Sequence, residues 1–355
     1  MDQLTLQSRI EGGLLGLLVG DALGVPYEFH PPEGLPPVEA IEFQPPPGFR
    51  RAHYGVPPGT WSDDGAQALI LLDSLLAKDG LDLGHFAEGL RNWLLTGFYA
   101  VNRSVFDIGM QTSTAINRLS SGISPDVAGP SAEQHNGNGS LMRVLPLVLW
   151  HQGSDANLVY VAMRQSLPTH GHWQSKITCA MYCLWARRWL EGATSPWASA
   201  ESGVREILGG DAPADQLDHV LDPDNADRAR GTGYVVDTLW SAKHAIESTC
   251  DYKACVRRAI AFGHDTDTTA TVAGGIAGIR YGVDDIPVRW RTRFADATYT
   301  YPWLGSCWPD FELMPPTSRR PMRIAEARVC QQPNTTRETT RAHVLSTPRN
   351  RSDRP

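Results

Sequence analysis

The stretch Gly263-His264-Asp265-Thr266-Asp267-Thr268-Thr269-Ala270 runs directly into a segment of small and apolar residues, Thr271 to Gly282. Two carboxylates two residues apart cannot share a face inside a regular helix, where side-chain neighbours lie three and four apart. They converge if the run occupies the loop and first turn ahead of a helix. Ala270, Gly274 and Gly278 recur at four-residue steps. That spacing predicts a helix with a flat face that packs closely on a neighbour, and Gly282 predicts its C-terminal stop. Two Asp and two hydroxyls on one rigid turn suit a hard cation such as Mg²⁺ or Mn²⁺. The same residue types are ordinary helix caps, so this turn alone leaves both readings open.

A second acidic turn narrows the choice. Thr60-Trp61-Ser62-Asp63-Asp64-Gly65 precedes Ala68, Leu71, Leu72, Leu75 and Leu76, which follow the spacing of a buried helical face. Adjacent aspartates repel each other, and burying either without a partner is costly. Two such turns are most simply satisfied by sharing metal, provided that the fold brings them together.

Helical periodicity dominates elsewhere. Ser8-Arg9-Ile10-Glu11 reads as a capping box, with Ile10, Leu14, Leu17 and Leu18 as the core stripe of a helix that Pro26 ends. Helical patterns follow over Phe86–Leu95, Thr112–Leu119, Leu141–Trp150, Leu158–Leu167, Ile177–Leu190, Val235–Ile246 and Tyr252–Phe262. No run alternates with period two, so the expected fold is all-α and a single domain. From His30 to Pro58 runs a proline-rich connection without periodicity, longer than the structureless loops that compact domains usually carry. The glycine-rich run Asn136-Gly137-Asn138-Gly139-Ser140 precedes the helix expected from Leu141, a placement in which free backbone amides would receive an anion. Arg143 is expected to be buried and paired with carboxylates.

Taken together, these motifs resemble the ADP-ribosylglycohydrolase family. The two acidic turns look like its paired metal-binding motifs. Four further stretches agree in order and spacing: Gly20-Asp21-Ala22-Leu23-Gly24-Val25-Pro26-Tyr27-Glu28, Phe106-Asp107-Ile108-Gly109, Asn138-Gly139-Ser140-Leu141-Met142-Arg143 and Gly233-Tyr234-Val235-Val236-Asp237-Thr238-Leu239. In the family the first metal turn usually reads Thr-Asp-Asp-Thr. Here Ser62 keeps the leading hydroxyl, and Gly65 lacks the trailing one.

The resemblance implies one compact multi-helix domain over residues 1–316 with a dinuclear metal cleft, followed by an Arg/Thr/Pro-rich tail, 317–355, expected to be disordered. It implies that Ser62, Asp63, Asp64, Asp265, Asp267 and Thr268 hold two divalent cations, Mg²⁺ or Mn²⁺. Asn138, Gly139, Ser140, His170 and Tyr234 would contact ADP-ribose, with the pyrophosphate on the glycine-rich run and the adenine on Tyr234. The proline-rich connection would border the substrate cleft as a lid. Glu28 and Asp107 would be the candidate catalytic carboxylates outside the metal shell. Asp107, between Phe106 and Ile108, is expected to be fixed and partly desolvated and so suited to proton transfer; Glu28 is expected at a mobile edge. The implied activity is removal of ADP-ribose from protein side chains, arginine N-linked, with an ADP-ribosylated protein as substrate and ADP-ribose as product. A non-catalytic ADP-ribose-binding relative and a dinuclear-metal nucleotide phosphohydrolase are the alternatives.

Charge and cysteine content set the remaining expectations. The net charge is −7, but residues 317–355 carry nine Arg against three acidic residues, leaving −13 on the remainder. An acidic body argues against nucleic acid as a partner, since such binding rests on neutralising phosphates. Cys179 and Cys183 fall at helical spacing rather than in a disulfide or zinc pattern, which predicts a reducing, cytoplasmic setting. The start lacks the basic n-region of a signal peptide. Its apolar run, Gly12 to Gly20, falls short of the ~20 residues that cross a bilayer, so no membrane partner is expected.

Overall fold

The computed structural model describes residues 4–298, and side chains as far as residue 293. The expected tail and the boundary at residue 316 lie outside the described residues. The helices, in chain order, are α1 (Leu6–Gly24), α2 (Asp63–Lys78), α3 (Leu83–Thr96), α4 (Met110–Ser120), the single turn α5 (Pro125–Ala128), α6 (Leu145–Trp150), α7 (Asp155–Ser166), α8 (Trp173–Leu190), α9 (Pro196–Leu208), α10 (Ala214–Leu221), the single turn α11 (Asn225–Arg228), α12 (Val235–Glu247), α13 (Tyr252–Ile260), α14 (Thr266–Tyr281) and α15 (Val288–Thr298). Among the described residues there is no β-strand, only one isolated bridge between Gly137 and Tyr234. The expected all-α class is therefore observed.

The spine is the antiparallel pair α1 and α14. Glycines step along both helices at every fourth residue, and the backbones touch where they meet. A Cβ at Gly16 would stand 2.4 Å from the Gly274 carbonyl oxygen, one at Gly20 2.1 Å from that of Ala270, and one at Gly278 1.8 Å from that of Gly12. Only hydrogen fits at these contacts. At the end of the seam Thr266 donates from Oγ1 to the Gly24 carbonyl (2.8 Å), which fastens the start of α14 to the end of α1. The small-residue face of α14 was legible from its spacing, whereas its partner is a tertiary fact.

Several boundaries differ from expectation. α1 begins at Leu6 with Thr5 as N-cap, accepting from the Ser8 amide. Ser8 does not lead a capping box; its hydroxyl accepts from the Val283 amide instead. With the turn that follows, this helix spans Leu6–Tyr27, 22 residues that are long and apolar enough to cross a membrane by length and composition. Yet 89% of its most apolar window is buried inside the protein, as befits a core helix. On α2 the expected positions Ala68, Leu71 and Leu75 are buried, but Leu76 is 47% exposed. Gln67, Ile70 and Ser74 take the other half of the buried face. The helix expected from Leu141 starts only at Leu145.

The proline-rich connection is pinned rather than free. Ile41 and Phe43 are core residues. Arg257 on α13 donates to the Ile41 carbonyl (3.0 Å) and to the Glu42 carboxylate (2.7 Å). Trp290 on α15 adds a bond to Glu42 (2.6 Å).

Candidate active site and metal centre

Both acidic turns open helices as the sequence predicts. Ser62 caps α2, its hydroxyl accepting from the Asp64 amide (3.3 Å), and Asp265 stands at the N-cap position of α14. The seam between α1 and α14 brings them together. Asp21, on the last turns of α1, is fully buried and receives the amides of Ser62 (2.9 Å) and Gly65 (2.7 Å). A helix N-terminus presents unpaired N–H groups, and here the Asp21 carboxylate from another helix satisfies two of them. The Thr268 hydroxyl on α14 reaches Asp64 Oδ1 at 3.4 Å.

Asp265 is held from three sides. Its amide donates to the Gly231 carbonyl (2.9 Å). Asn138 Nδ2 donates to Asp265 Oδ2 at 2.9 Å and to Thr238 Oγ1 at the same distance. The preceding turn is tied to Glu28's segment by paired backbone bonds, Phe29 N to His264 O and His264 N to His30 O, both 2.7 Å. Glu28, expected outside the metal shell, therefore lies with the α14 turn: one oxygen each of Glu28, Asp265 and Asp267 fall within 4.8 Å of one another.

Of the two catalytic candidates, Glu28 is more buried than expected, whereas Asp107 is partly buried, as expected. The side chain of Glu28 is 7% exposed and that of Asp107 20%. Burial, then the nearby charges of Asp107 and Asp265, push the Glu28 carboxyl up to about 12. The reason is that Pro26 turns the chain back into the body: Tyr27 is buried, its hydroxyl donating to the Glu42 carbonyl (2.8 Å). Asp107 follows a backbone in the left-handed region, with φ 58°, and points out toward His53.

The electrostatics indicate what the site lacks. Asp63, Asp64 and Asp267 are pushed well above the carboxylate range by burial first, then by one another and by other carboxylates of the site. Burial likewise raises Asp21, to about 7. It raises Asp265 too, against the opposing bond from Asn138. Among the described residues no lysine or arginine pairs with any of them. Asp64 Oδ2 and Asp267 Oδ2 are buried oxygens with no hydrogen-bond partner. Buried orphan oxygens on hydroxyl-flanked aspartates are the donor set of a hard cation, so the residues fit divalent metal.

The ligand-contact residues divide. Asn138 turns to Asp265, and its own amide is taken by the Gly233 carbonyl (3.1 Å), so it holds a carboxylate of the site. The Ser140 side chain is fully buried against Cys179 and Ser166. Because α6 starts at Leu145, Asn138–Ser140 lies on turns rather than at the helix N-terminus expected. Gly139 does face His170: a Cβ there would be 2.9 Å from its Cε1. His170 is buried beneath this loop, bonded through Nδ1 to Thr169 Oγ1 (2.8 Å) and kept neutral, its pKa well below the usual range through burial and the Arg143 charge. Tyr234 lies beside the same loop through its bridge to Gly137. It is half-buried, and its hydroxyl bonds Gln174 Oε1 and His219 Nε2, each at 2.7 Å.

Arg143 is fully buried, as expected, but its partners are neutral: Gln67, Gln165 and Thr169. Gln67 relays the contact, since its amide donates to Asp63 Oδ2 at 3.0 Å. Two residues escaped sequence reasoning. Asp21 stood in a stretch that matches the family but was given no role, and His53 stood in a connection without periodicity. His53 Nε2 shares a hydrogen bond of 2.5 Å with Glu28 Oε2 and lies 3.8 Å from Asp107 Oδ1.

An all-helical fold with this acidic centre defines a known class of hydrolase. The ADP-ribosylglycohydrolase family model matches residues 2–313, and the chain belongs to that family. Among its relatives is the ADP-ribosylarginine hydrolase Tri1 of Pseudomonas putida (strain GB-1), 30% identical over 81% of this chain and 74% of that one. The ADP-ribosyl-[dinitrogen reductase] glycohydrolase of Rhodospirillum rubrum is also 30% identical, over 81% of this chain and 91% of its own. The ADP-ribosylhydrolase ARH3 of Homo sapiens is more distant at 27%. A solved structure, an ADP-ribosylglycohydrolase-related protein complex, superposes with a TM-score of 0.65 at 31% identity, covering 80% of this chain and 91% of that one.

Proposed function

We propose that this protein removes ADP-ribose from arginine side chains of modified proteins by metal-assisted hydrolysis of the N-glycosidic bond. The observation that carries this reading is the buried set Glu28, Asp63, Asp64, Asp265 and Asp267, which has two orphan oxygens and no lysine or arginine partner among the described residues. The relative named as an ADP-ribosylarginine hydrolase supports the arginine linkage.

Ser62, Asp63, Asp64, Asp265, Asp267 and Thr268 would hold two divalent cations, Mg²⁺ or Mn²⁺, supplying Lewis acidity toward ribose hydroxyls and a water. In the reaction a water oxygen bonds to the anomeric carbon and gives up a proton, the bond from that carbon to the guanidino nitrogen breaks, and the nitrogen leaves with the electron pair and takes up a proton. Glu28, the more buried carboxyl, is assigned to proton transfer. Asp107, at the outer edge, is assigned to pair with the entering guanidinium, whose planar fork matches a carboxylate. Tyr234, half-buried beside the Gly137–Gly139 loop, is the side chain offered to the rest of ADP-ribose, with His170 supporting the loop from beneath. The free, buried thiols of Cys179, Cys183 and Cys255 support a reducing, cytoplasmic setting.

The test is incubation with ADP-ribosylated arginine and serine peptides, with and without Mg²⁺ or Mn²⁺. Free ADP-ribose from the arginine peptide is expected. AMP as product would indicate a phosphohydrolase, and no product from either peptide would overturn the reading. Glu28→Gln is expected to lower kcat by about 10²-fold while ADP-ribose still binds. Asp107→Asn is expected to act mainly on KM for the arginine peptide, and an unchanged KM would remove its assigned role.

A further inference from the structure

Outside the metal-binding turns, the densest unexplained arrangement is built on His53. It comes from the proline-rich connection, where Ala52 N donates to Pro26 O (2.9 Å), tying the segment to the turn after α1, and Val56 N donates to His53 O (3.0 Å), closing a local turn. Its ring lies between two phenyl rings, 5.5 Å from Phe29 and 5.1 Å from Phe106 between centroids. Phe29 and Phe106 are the chain neighbours of Glu28 and Asp107. One side chain thus contacts both catalytic segments, by its polar edge and by its faces.

Backbone conformation points the same way. Phe29 (φ 62°), His53 (φ 47°) and Asp107 (φ 58°) all occupy the left-handed region. Three non-glycine residues in that region at one contact persist only when their surroundings over-determine them, and such strain gathers where geometry serves a site.

We propose that His53 is a positioning residue: it holds Glu28 in its buried orientation and sets the separation between Glu28 and Asp107. The Glu28–His53–Asp107 grouping also has the make-up of a cation site. At 2.5 Å, however, Nε2 and Oε2 are bonded to each other, closer than two ligands of one ion need to stand. The proposal rests on the hydrolase reading only for its kinetic arm.

The experiment compares wild type, His53→Ala and His53→Gln, the last keeping an amide nitrogen near the position of Nε2. In the metal-free protein, His53→Ala is expected to speed hydrogen exchange of amides 28–30 and 106–108, and His53→Gln to leave it near wild type. With arginine-linked substrate and Mn²⁺, His53→Ala is expected to lower kcat by roughly tenfold or more with KM little changed, and His53→Gln to recover most of it. Unchanged exchange and kcat in His53→Ala would overturn the proposal. So would a uniform rise in exchange across the protein, which marks a merely structural role, or a second metal-binding event lost in both variants. If the wild type hydrolyses nothing, the hydrolase reading fails while the exchange comparison still decides on His53.

Discussion

Thr268 donates its hydroxyl to Asp64 Oδ1 across 3.4 Å, joining two acidic turns that lie 204 residues apart in the chain. That contact sits beside the two orphan oxygens of Asp64 and Asp267. Each turn alone would be a capped helix. Side by side, they hold more buried negative charge than a protein without a counter-ion tolerates at neutral pH.

Metal should therefore stabilise the folded protein. At a hundred times its Kd, Mn²⁺ is expected to add about 2.7 kcal/mol to the unfolding free energy, measured as a rise in Tm. Asp267→Ala should abolish that rise, and with it activity, while leaving the metal-free Tm no lower than wild type. A metal-free Tm well below wild type would show that Asp267 supports the fold directly.

The pH dependence of the metal-free protein follows from the direction of the shifts. Burial raises Asp21 from 3.8 to about 7, and Asp63, Asp64 and Asp267 rise with it. A carboxyl that binds its proton more tightly folded than unfolded contributes stability that is complete below the unfolded value and is lost as pH rises through the folded one. The metal-free Tm should then fall between pH 4 and pH 7, and saturating Mn²⁺ should remove much of that slope. A Tm that rises over this window without metal would contradict the buried, protonated state of these groups.

The glycine seam should be intolerant. A Cβ at Gly278 would stand 1.8 Å from the Gly12 carbonyl oxygen, against backbone that cannot rotate away. Gly278→Ala is expected to cost about 3 kcal/mol by chemical denaturation, through forced separation of α1 and α14. Mn²⁺ affinity should fall with it, since Asp21 and the α14 turn ride on the two helices.

Asn138→Ala tests whether Asn138 serves Asp265. Loss of the 2.9 Å bond is expected to weaken Mn²⁺ binding by about 10-fold to 100-fold in calorimetry. If metal affinity holds and only ADP-ribose affinity falls, Asn138 belongs to the ligand site after all.

Gly65 lacks the trailing hydroxyl usual in the family, and restoring it is not expected to help. A Cβ at that position would lie 2.9 Å from Asp21 Oδ2, from Leu18 Cδ2 and from Trp61 Cβ. Gly65→Thr should lower both Tm and turnover; a gain in turnover would show that Asp21 yields readily.

The chain's own residues determined the helical class, the placement of Asp63-Asp64 and Asp265/Asp267 on turns ahead of helices, and the close-packing face of α14. These are local matters of periodicity and capping, readable wherever the i, i+3, i+4 pattern holds. Their joining was decided only in three dimensions, because the partner of the α14 glycines is α1, at the far end of the chain. So was the burial of Glu28. A helix stop and a long loop marked Glu28 as a mobile edge, yet exposure depends on what packs from elsewhere: Pro26 and Tyr27 turn Glu28 inward, whereas Asp107, partly buried as expected, meets His53. Asn138 and Arg143 carried recognisable motifs, but their partners, Asp265 and Gln67, are 127 and 76 residues away. A hydrogen bond between residues so far apart leaves no periodic trace, and tertiary packing alone chooses it.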